Sequence, residues 1–317
     1  MRSLIRPNST RLFLSYAMAI MALAWMAVAR AASVGVVLSD DSVAYRETAE
    51  AVRSELRRGP GTPPAVAILP LSALATAATG DWQVAVAVGT LATEALARHD
   101  SRLPVLGTLL PRAAFERIRA ESGRSRDPGR FSALFIDQPL GRQLDLIRFA
   151  LPGAVRVGLL LGPASATLQD ALRSAAAERR LRVVVQRANE AKDIYPALQK
   201  LLDEVDVLLA LPDPIVYNSA TVPHVLLATY RQRVPLVGFS GAYTRAGAVL
   251  ALHSTPEQIG RQAAELLRSG LATGQMPAPQ YPRQFVVSTN PHVARSLEIV
   301  IEDADSLQRK VVEATGR

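Results

Sequence analysis

VAVAVGTLATEALAR, residues 84–98, holds the reading that decides the fold. Val84–Val88 is apolar at every position, three of five residues are β-branched, and no polar residue alternates with them. A strand written this way is buried on both faces, which is the condition of a parallel sheet covered by helices. Gly89-Thr90 breaks the run, and Leu91–Arg98 then shows helical spacing. Further apolar runs of the same kind are Ser33–Leu38, Ala65–Leu71, Leu103–Leu110, Phe131–Ile136, Val155–Leu161, Leu181–Val185, Val205–Leu211, Val234–Phe239, Ala248–His253 and Gln284–Val287. Amphipathic stretches separate them, the clearest being Ala44–Arg57, Pro111–Ala120, Gly141–Leu151, Ala166–Arg179, Ile194–Leu202, Thr221–Arg231 and Pro256–Leu267. Thr255-Pro256-Glu257 sets a cap, a first-turn proline and a first-turn acid in order. Strand and helix in alternation predict right-handed βαβ units.

About eleven strands exceed one doubly wound sheet of ordinary size. Two Rossmann-like α/β lobes of five or so strands each are expected, with a boundary near Asp137–Pro139. No long Pro/Gly/Ser-rich linker is present, so the lobes are joined by short crossings, a hinge arrangement that permits closure on a ligand.

The N-terminus reads as an export signal. Arg2, Arg6 and Arg11 form a basic leader, Leu12–Ala29 is almost wholly apolar, and Ala29-Arg30-Ala31 is a small-x-small cleavage signal. Residues 1–32 are therefore expected to be removed on passage to the periplasm; the competing reading is an uncleaved anchor. The formal net charge of +8 loses four arginines (Arg2, Arg6, Arg11, Arg30) with the leader and falls to +4. The remaining arginines form no stripe of the kind that binds nucleic acid. The densest stretch, Arg112 to Arg130, also holds Glu116, Glu121 and Asp127.

Reactive chemistry is sparse. The chain has no Cys, which removes disulfides, thiolate metal sites, cysteine nucleophiles and a lipoprotein anchor. Neither G-x-G-x-x-G nor a phosphate loop occurs, so no nucleotide cofactor is expected. His99, His224, His253 and His292 lie far apart with no ligand spacing, and no metal is expected. Gly238-Phe239-Ser240-Gly241-Ala242 falls one glycine short of a nucleophile elbow, and Asp303 follows His292 where hydrolases of that type place the acid first, although Glu257 and Glu265 precede His292 and chain order alone leaves the acid's place open. An exported hydrolase is thus the weakest of the functions considered, and no enzymatic activity is expected.

In open α/β sheets ligands lie beyond the carboxyl ends of the strands. The residues standing there are small and polar: Ser39 and nearby Tyr45 after the first run, Gly89-Thr90, Thr108, Asp137, Asp213 between Pro212 and Pro214, and Ser240. Helices that begin just after them expose free backbone N–H groups suited to a ligand carboxylate, while Asp137 and Asp213 can hold an ammonium. The same residue types are also ordinary helix caps, and both readings stand at this point. Ser39, Tyr45, Gly89, Thr90, Thr108, Asp137, Asp213 and Ser240 are the candidate ligand-binding residues.

Several stretches together resemble a known family. They are Val88-Gly89-Thr90-Leu91-Ala92-Thr93, Pro104-Val105-Leu106-Gly107-Thr108, Phe135-Ile136-Asp137-Gln138-Pro139, Leu211-Pro212-Asp213-Pro214, Pro235-Leu236-Val237-Gly238-Phe239-Ser240, Ala246-Gly247-Ala248 and Ile259-Gly260-Arg261-Gln262-Ala263-Ala264. In order and spacing they resemble the substrate-binding proteins of ABC transporters, in the branch of tryptophan- and tyrosine-type binding proteins. The resemblance implies a type I periplasmic-binding-protein fold with three crossings and a ligand in the cleft. It places 33–138 plus 247–282 in lobe 1 and 139–246 plus 283–317 in lobe 2. It also implies capture of a small, amino-acid-like solute by a monomer that serves a membrane permease. A ligand-binding accessory of a membrane sensor is the alternative.

Overall fold

The computed structural model describes residues 33–59, 61–99, 102–124 and 129–316; the expected leader, its cleavage signal and Asp127 lie outside them. Among the described residues eleven strands alternate with helices. The first sheet is built from β1 (Ser33–Leu38), β2 (Ala65–Pro70), β3 (Val84–Val88), β4 (Val105–Leu110) and β5 (Phe131–Phe135), in the order β2-β1-β3-β4-β5 and parallel throughout. The second takes β6 (Arg156–Leu161), β7 (Arg182–Arg187), β8 (Val207–Leu209), β9 (Leu236–Gly238), β10 (Leu250–His253) and β11 (Val286–Thr289), in the order β11-β10-β9-β8-β6-β7. Only β11 runs antiparallel to its neighbour among these pairs. The inner strands β3 and β4 are buried at every residue, and so is β5, whose edge is covered by the segment at Gln280, whereas the uncovered edge strands β2 and β7 are half-exposed along their length.

The helices of the first lobe are α1 (Val43–Arg58), α2 (Thr90–His99) and α3 (Arg112–Glu121). Those of the second are α4 (Leu140–Ala150), α5 (Gln169–Ala177), α6 (Ala191–Leu202), α7 (Val222–Arg231) and α8 (Gly241–Ala246). Of the last three, α9 (Pro256–Thr273) returns to α1, whereas α11 (Ala304–Ala314), which follows the short α10 (Pro291–Ser296), packs on α4 and β11. The cap expected at Thr255 is present as a full capping box, with Thr255 and Gln258 each accepting from the other's backbone N–H. Each sheet carries one apolar cluster on either face, and among the described residues no cluster mixes residues of the two sheets. Two separate cores leave a gap between two lobes.

One expectation is corrected. The segment 247–282 does not return to the first lobe as a unit, because Leu250–His253 pairs with β9 and β11 inside the second sheet. The chain crosses later, at Ser254-Thr255. From there α9 rides so closely on α1 that a Cβ on Gly260 would lie 2.6 Å from the Thr48 carbonyl oxygen. Residues after α9 then extend the β5 edge: Gln280 donates to Ala133 O at 2.9 Å and accepts from Phe135 N at 3.0 Å. The helices at 241–246, 291–296 and 304–314 are additions to the expected set.

A cleft between the carboxyl ends of two sheets

A cavity of about 910 Å³ lies where the strand tips of the two sheets face each other, within the size range of small-molecule sites. Two smaller hollows, of about 380 and 560 Å³, belong to the first lobe: one at the opposite ends of β3 and β4, the other between α1 and α9.

On the first-lobe side the wall is made by Tyr45, Thr90, Leu109, Pro111, Ile136 and the first two turns of α3, which bring Arg112, Ala113, Ala114, Glu116 and Arg117 to it. Thr90 opens α2. The turn before it works because Gly89 has φ +91°, a region open to glycine. A Cβ there would come within 2.6 Å of both Ser39 Oγ and Tyr45 Oη. Ser39 accepts at 2.9 Å from Ala92 N and so caps α2 from a different strand. Burial, then the nearby Asp40 carboxylate, raises the pKa of the Tyr45 phenol and keeps it protonated. Gly89→Ala is therefore expected to lower stability by about 2 kcal/mol from the unfavourable φ and the crowding and to displace Tyr45 from the cavity wall. Thermal denaturation of the variant checks this; an unchanged midpoint would refute the packing described.

Leu109 reaches the wall through an irregularity. The β4–β5 register shifts between Thr108 and Leu110, and Leu109 takes φ +51°. The bulge turns the strand's final turn toward the gap. Thr108, expected as a ligand contact, is instead 0% exposed. Its hydroxyl donates to Ala87 O at 3.1 Å and its carbonyl accepts from Gly89 N at 2.8 Å. Asp137 also turns inward to the protein: its Oδ2 accepts from Arg112 N at 2.7 Å, capping α3. Burial pushes its pKa up, opposed by that N–H. Arg112 lies at the wall and donates to the Tyr281 hydroxyl at 3.0 Å. That hydrogen bond, with Glu116 and Asp137 nearby, raises its pKa, so it is a fixed cation.

The second-lobe side is apolar. Pro163, Ala164, Leu168, Ala171, Pro212, Pro214, Tyr217 and Phe239 line it, with Thr167 and Asp213. Asp213 is 3% exposed and every site on its carboxylate is taken. Oδ2 accepts from Ser165 N and Oγ, both at 2.9 Å, and Oδ1 accepts from Ile215 N at 3.0 Å and Val216 N at 3.3 Å. The expectation that it holds an ammonium gives way to a different role: it stitches the loop after β6 to the loop after β8. Ser240 stands at the N-cap of α8 beside the wall residue Phe239. Of the eight sequence candidates, then, Tyr45, Thr90 and Asp213 stand at the cavity. Ser39, Gly89 and Asp137 hold the turns beneath it, Thr108 lies in the sheet, and Ser240 flanks the wall. Leu109, Arg112, Tyr217 and Phe239 were not anticipated. The sequence signal for Tyr217 was its place four residues after Asp213 in a loop that leaves a strand tip.

Two of the residues considered for hydrolysis have other partners: His292 accepts from Arg295, and Asp303 caps α11 through Ser306 N.

A family model described as ABC transporter substrate binding protein matches residues 71–310. No curated protein sequence matches the chain. Among solved structures, the ABC domain from Streptococcus pneumoniae in complex with L-Trp aligns with a TM-score of 0.64 at 15% identity, covering 88% of this chain and 98% of that one. The ligand-free, open form of a substrate binding protein with adhesive properties from Clostridium difficile aligns at 0.67 and 15%, covering 86% and 96%. A periplasmic solute binding protein from Actinobacillus succinogenes with bound D-allose aligns at 0.52 and 12%, covering 83% and 99%. At these identities the likeness concerns the fold, which is that of the type I periplasmic binding proteins.

Proposed function

The chain belongs to the ABC transporter substrate binding protein family, and on that premise we propose that it captures a small, amino-acid-like solute in the inter-lobe cleft and delivers it to a membrane permease. The observation that carries the reading is the cleft's asymmetry. The first-lobe wall offers the N-terminal ends of α2 and α3 with Arg112 beside them, a setting that favours a carboxylate. The second-lobe wall offers rings, prolines and aliphatic carbon, a setting that favours an apolar body. A solute with both parts spans the gap and draws the lobes together. The full engagement of Asp213 and the partners of His292 and Asp303 support binding without turnover.

We also propose that the protein works in the periplasm after loss of residues 1–32, as the basic, apolar and small-residue succession of that segment suggests. No helix of the described residues is long and apolar enough to cross a membrane.

The test is a thermal-shift screen of amino acids and related carboxylates, with mass spectrometry of small molecules released from the purified protein. A true ligand at a hundredfold excess over its Kd adds about 2.7 kcal/mol, a rise of roughly 5–10 °C. If simple sugars shift the midpoint and no amino acid or related carboxylate does, the amino-acid-like reading is wrong.

A further inference from the structure

Helix α3 carries three arginines, and two of them have counter-charges. Arg117 pairs with Glu121 at 2.9 Å and with Glu94 at 3.8 Å, and Arg119 pairs with Glu116 at 2.5 Å. Arg112 is exposed at the cavity wall and forms no ion pair among the described residues. What its guanidinium meets is a phenol. Nη1 donates to the Tyr281 hydroxyl at 3.0 Å, and Cζ lies 6.0 Å from the centre of the Tyr281 ring. The nearby Asp137 carboxylate is turned to the backbone, where its Oδ2 accepts from Arg112 N at 2.7 Å. Tyr281 is itself fixed to the first lobe. Its ring stands edge-on to Phe135, with centroids 5.5 Å apart at 70°. Gln280 before it is hydrogen-bonded to β5. Gln262 of α9 holds the chain on the other side, donating to Tyr281 O at 3.3 Å and accepting from Arg283 N at 2.9 Å.

We propose that Tyr281 is the positioning residue for Arg112, which receives the solute's carboxylate, and that this pair sets the preference for an anionic solute. The inference rests on the cleft-binding reading above. An exposed arginine left to itself samples many rotamers, and ordering it on binding weakens affinity. The phenol oxygen orders it beforehand and, being uncharged, does so without cancelling its charge. A carboxylate in that position would compete with the solute for the same donors. One donor is engaged by Tyr281, and the rest of the planar fork stays open to a carboxylate. Tyr281 and α3 both belong to the first lobe, so the arrangement is in place before the lobes close.

The experiment is titration calorimetry of L-leucine, L-phenylalanine and L-tryptophan, each paired with its carboxamide, against wild type, Tyr281→Phe, Arg112→Gln and the double variant. In wild type the carboxylate member of any pair that binds is expected to be preferred. Arg112→Gln is expected to lower that preference roughly ten- to hundredfold, the contribution of hydrogen bonds between charged groups. Tyr281→Phe is expected to lower it roughly three- to tenfold, the effect of ordering a long side chain on binding, with carboxamide affinity near its wild-type value. Because Tyr281 acts through Arg112, adding Tyr281→Phe to Arg112→Gln changes the preference no further. If Tyr281→Phe weakens both members of a pair alike, or neither, the phenol does not position the cation, and the proposal fails while cleft binding stands. A further loss of preference in the double variant also overturns it, since the phenol then meets the solute itself. So does an absent preference in wild type or an unchanged one in Arg112→Gln, which moves the carboxylate elsewhere and leaves solute capture intact. If no probe binds wild type, the amino-acid-like reading falls and takes this inference with it.

Discussion

Asp213→Ala is expected to lower the melting temperature by roughly 8–15 °C and to abolish ligand binding. The carboxylate gathers four donors from two loops, and truncation strands the N–H groups of Ser165, Ile215 and Val216 in a buried setting. Each hydrogen bond to a charged acceptor contributes about 1.5–3 kcal/mol, and an orphaned buried donor costs a similar amount. Allowing for relaxation and water entry, the net loss is about 3–5 kcal/mol, which for a chain of this size is several degrees per pair of bonds. Gly162 shows how tightly the node is built, since any Cβ there would clash with the same carboxylate. Asp213→Asn keeps the shape and the Oδ1 side but turns a donor toward Ser165, so roughly half the loss is expected. Thermal denaturation with and without ligand measures both. An Ala variant that melts within about 2 °C of wild type, on the same scale, would mean the two loops are held by something else.

The same residue shows what sequence could and could not reveal. Its position between Pro212 and Pro214 at a strand tip was legible, because apolar runs mark strands and the carboxyl ends of parallel strands collect ligands. What its oxygens touch was not, because Ser165 lies 48 positions away and only the folded chain brings the two loops together. The strands show the same division. All eleven apolar runs became strands, yet Ala248–His253 was assigned to the wrong lobe: an apolar run states that it is buried, not which sheet it joins. That choice is made by pairing with β9 and with antiparallel β11. Thr108 was misread for a related reason. A Thr at the end of an apolar run looks like a polar tip, but the bulge at Leu109 swings a leucine to the cleft and leaves the threonine in the sheet. Tyr217 and Phe239 were passed over because their apolar bodies read as core, which they also are.

The crossings between the lobes carry the second large expectation, a coupled loss at Gln138 and Arg142. Gln138 Nε2 donates to Ser254 Oγ at 2.9 Å, and Ser254 Oγ donates to Gln284 O at 2.6 Å. Arg142 Nη1 donates to Gln138 Oε1 at 2.7 Å and to Pro282 O at 3.0 Å. Gln138, Ser254 and the 282–284 stretch sit on the first, second and third crossings, so one short network links all three. Arg142 is 8% exposed and its guanidinium lies 4.4 Å over the Phe285 ring; burial lowers its pKa. Gln138→Leu removes its side-chain acceptor and should cost about 2–3 kcal/mol, because a buried cation loses a partner while Ser254 loses a donor. Adding Arg142→Met removes the cation that was left wanting, so the double variant should recover about 1 kcal/mol or more of that loss relative to simple addition of the two single changes. Replacing both members of a buried polar pair is less harmful than removing one. Denaturant unfolding of the four proteins in the cycle gives the coupling directly. Strict additivity would show that Gln138 and Arg142 act independently, and their hydrogen bond would then contribute nothing to tying the crossings together.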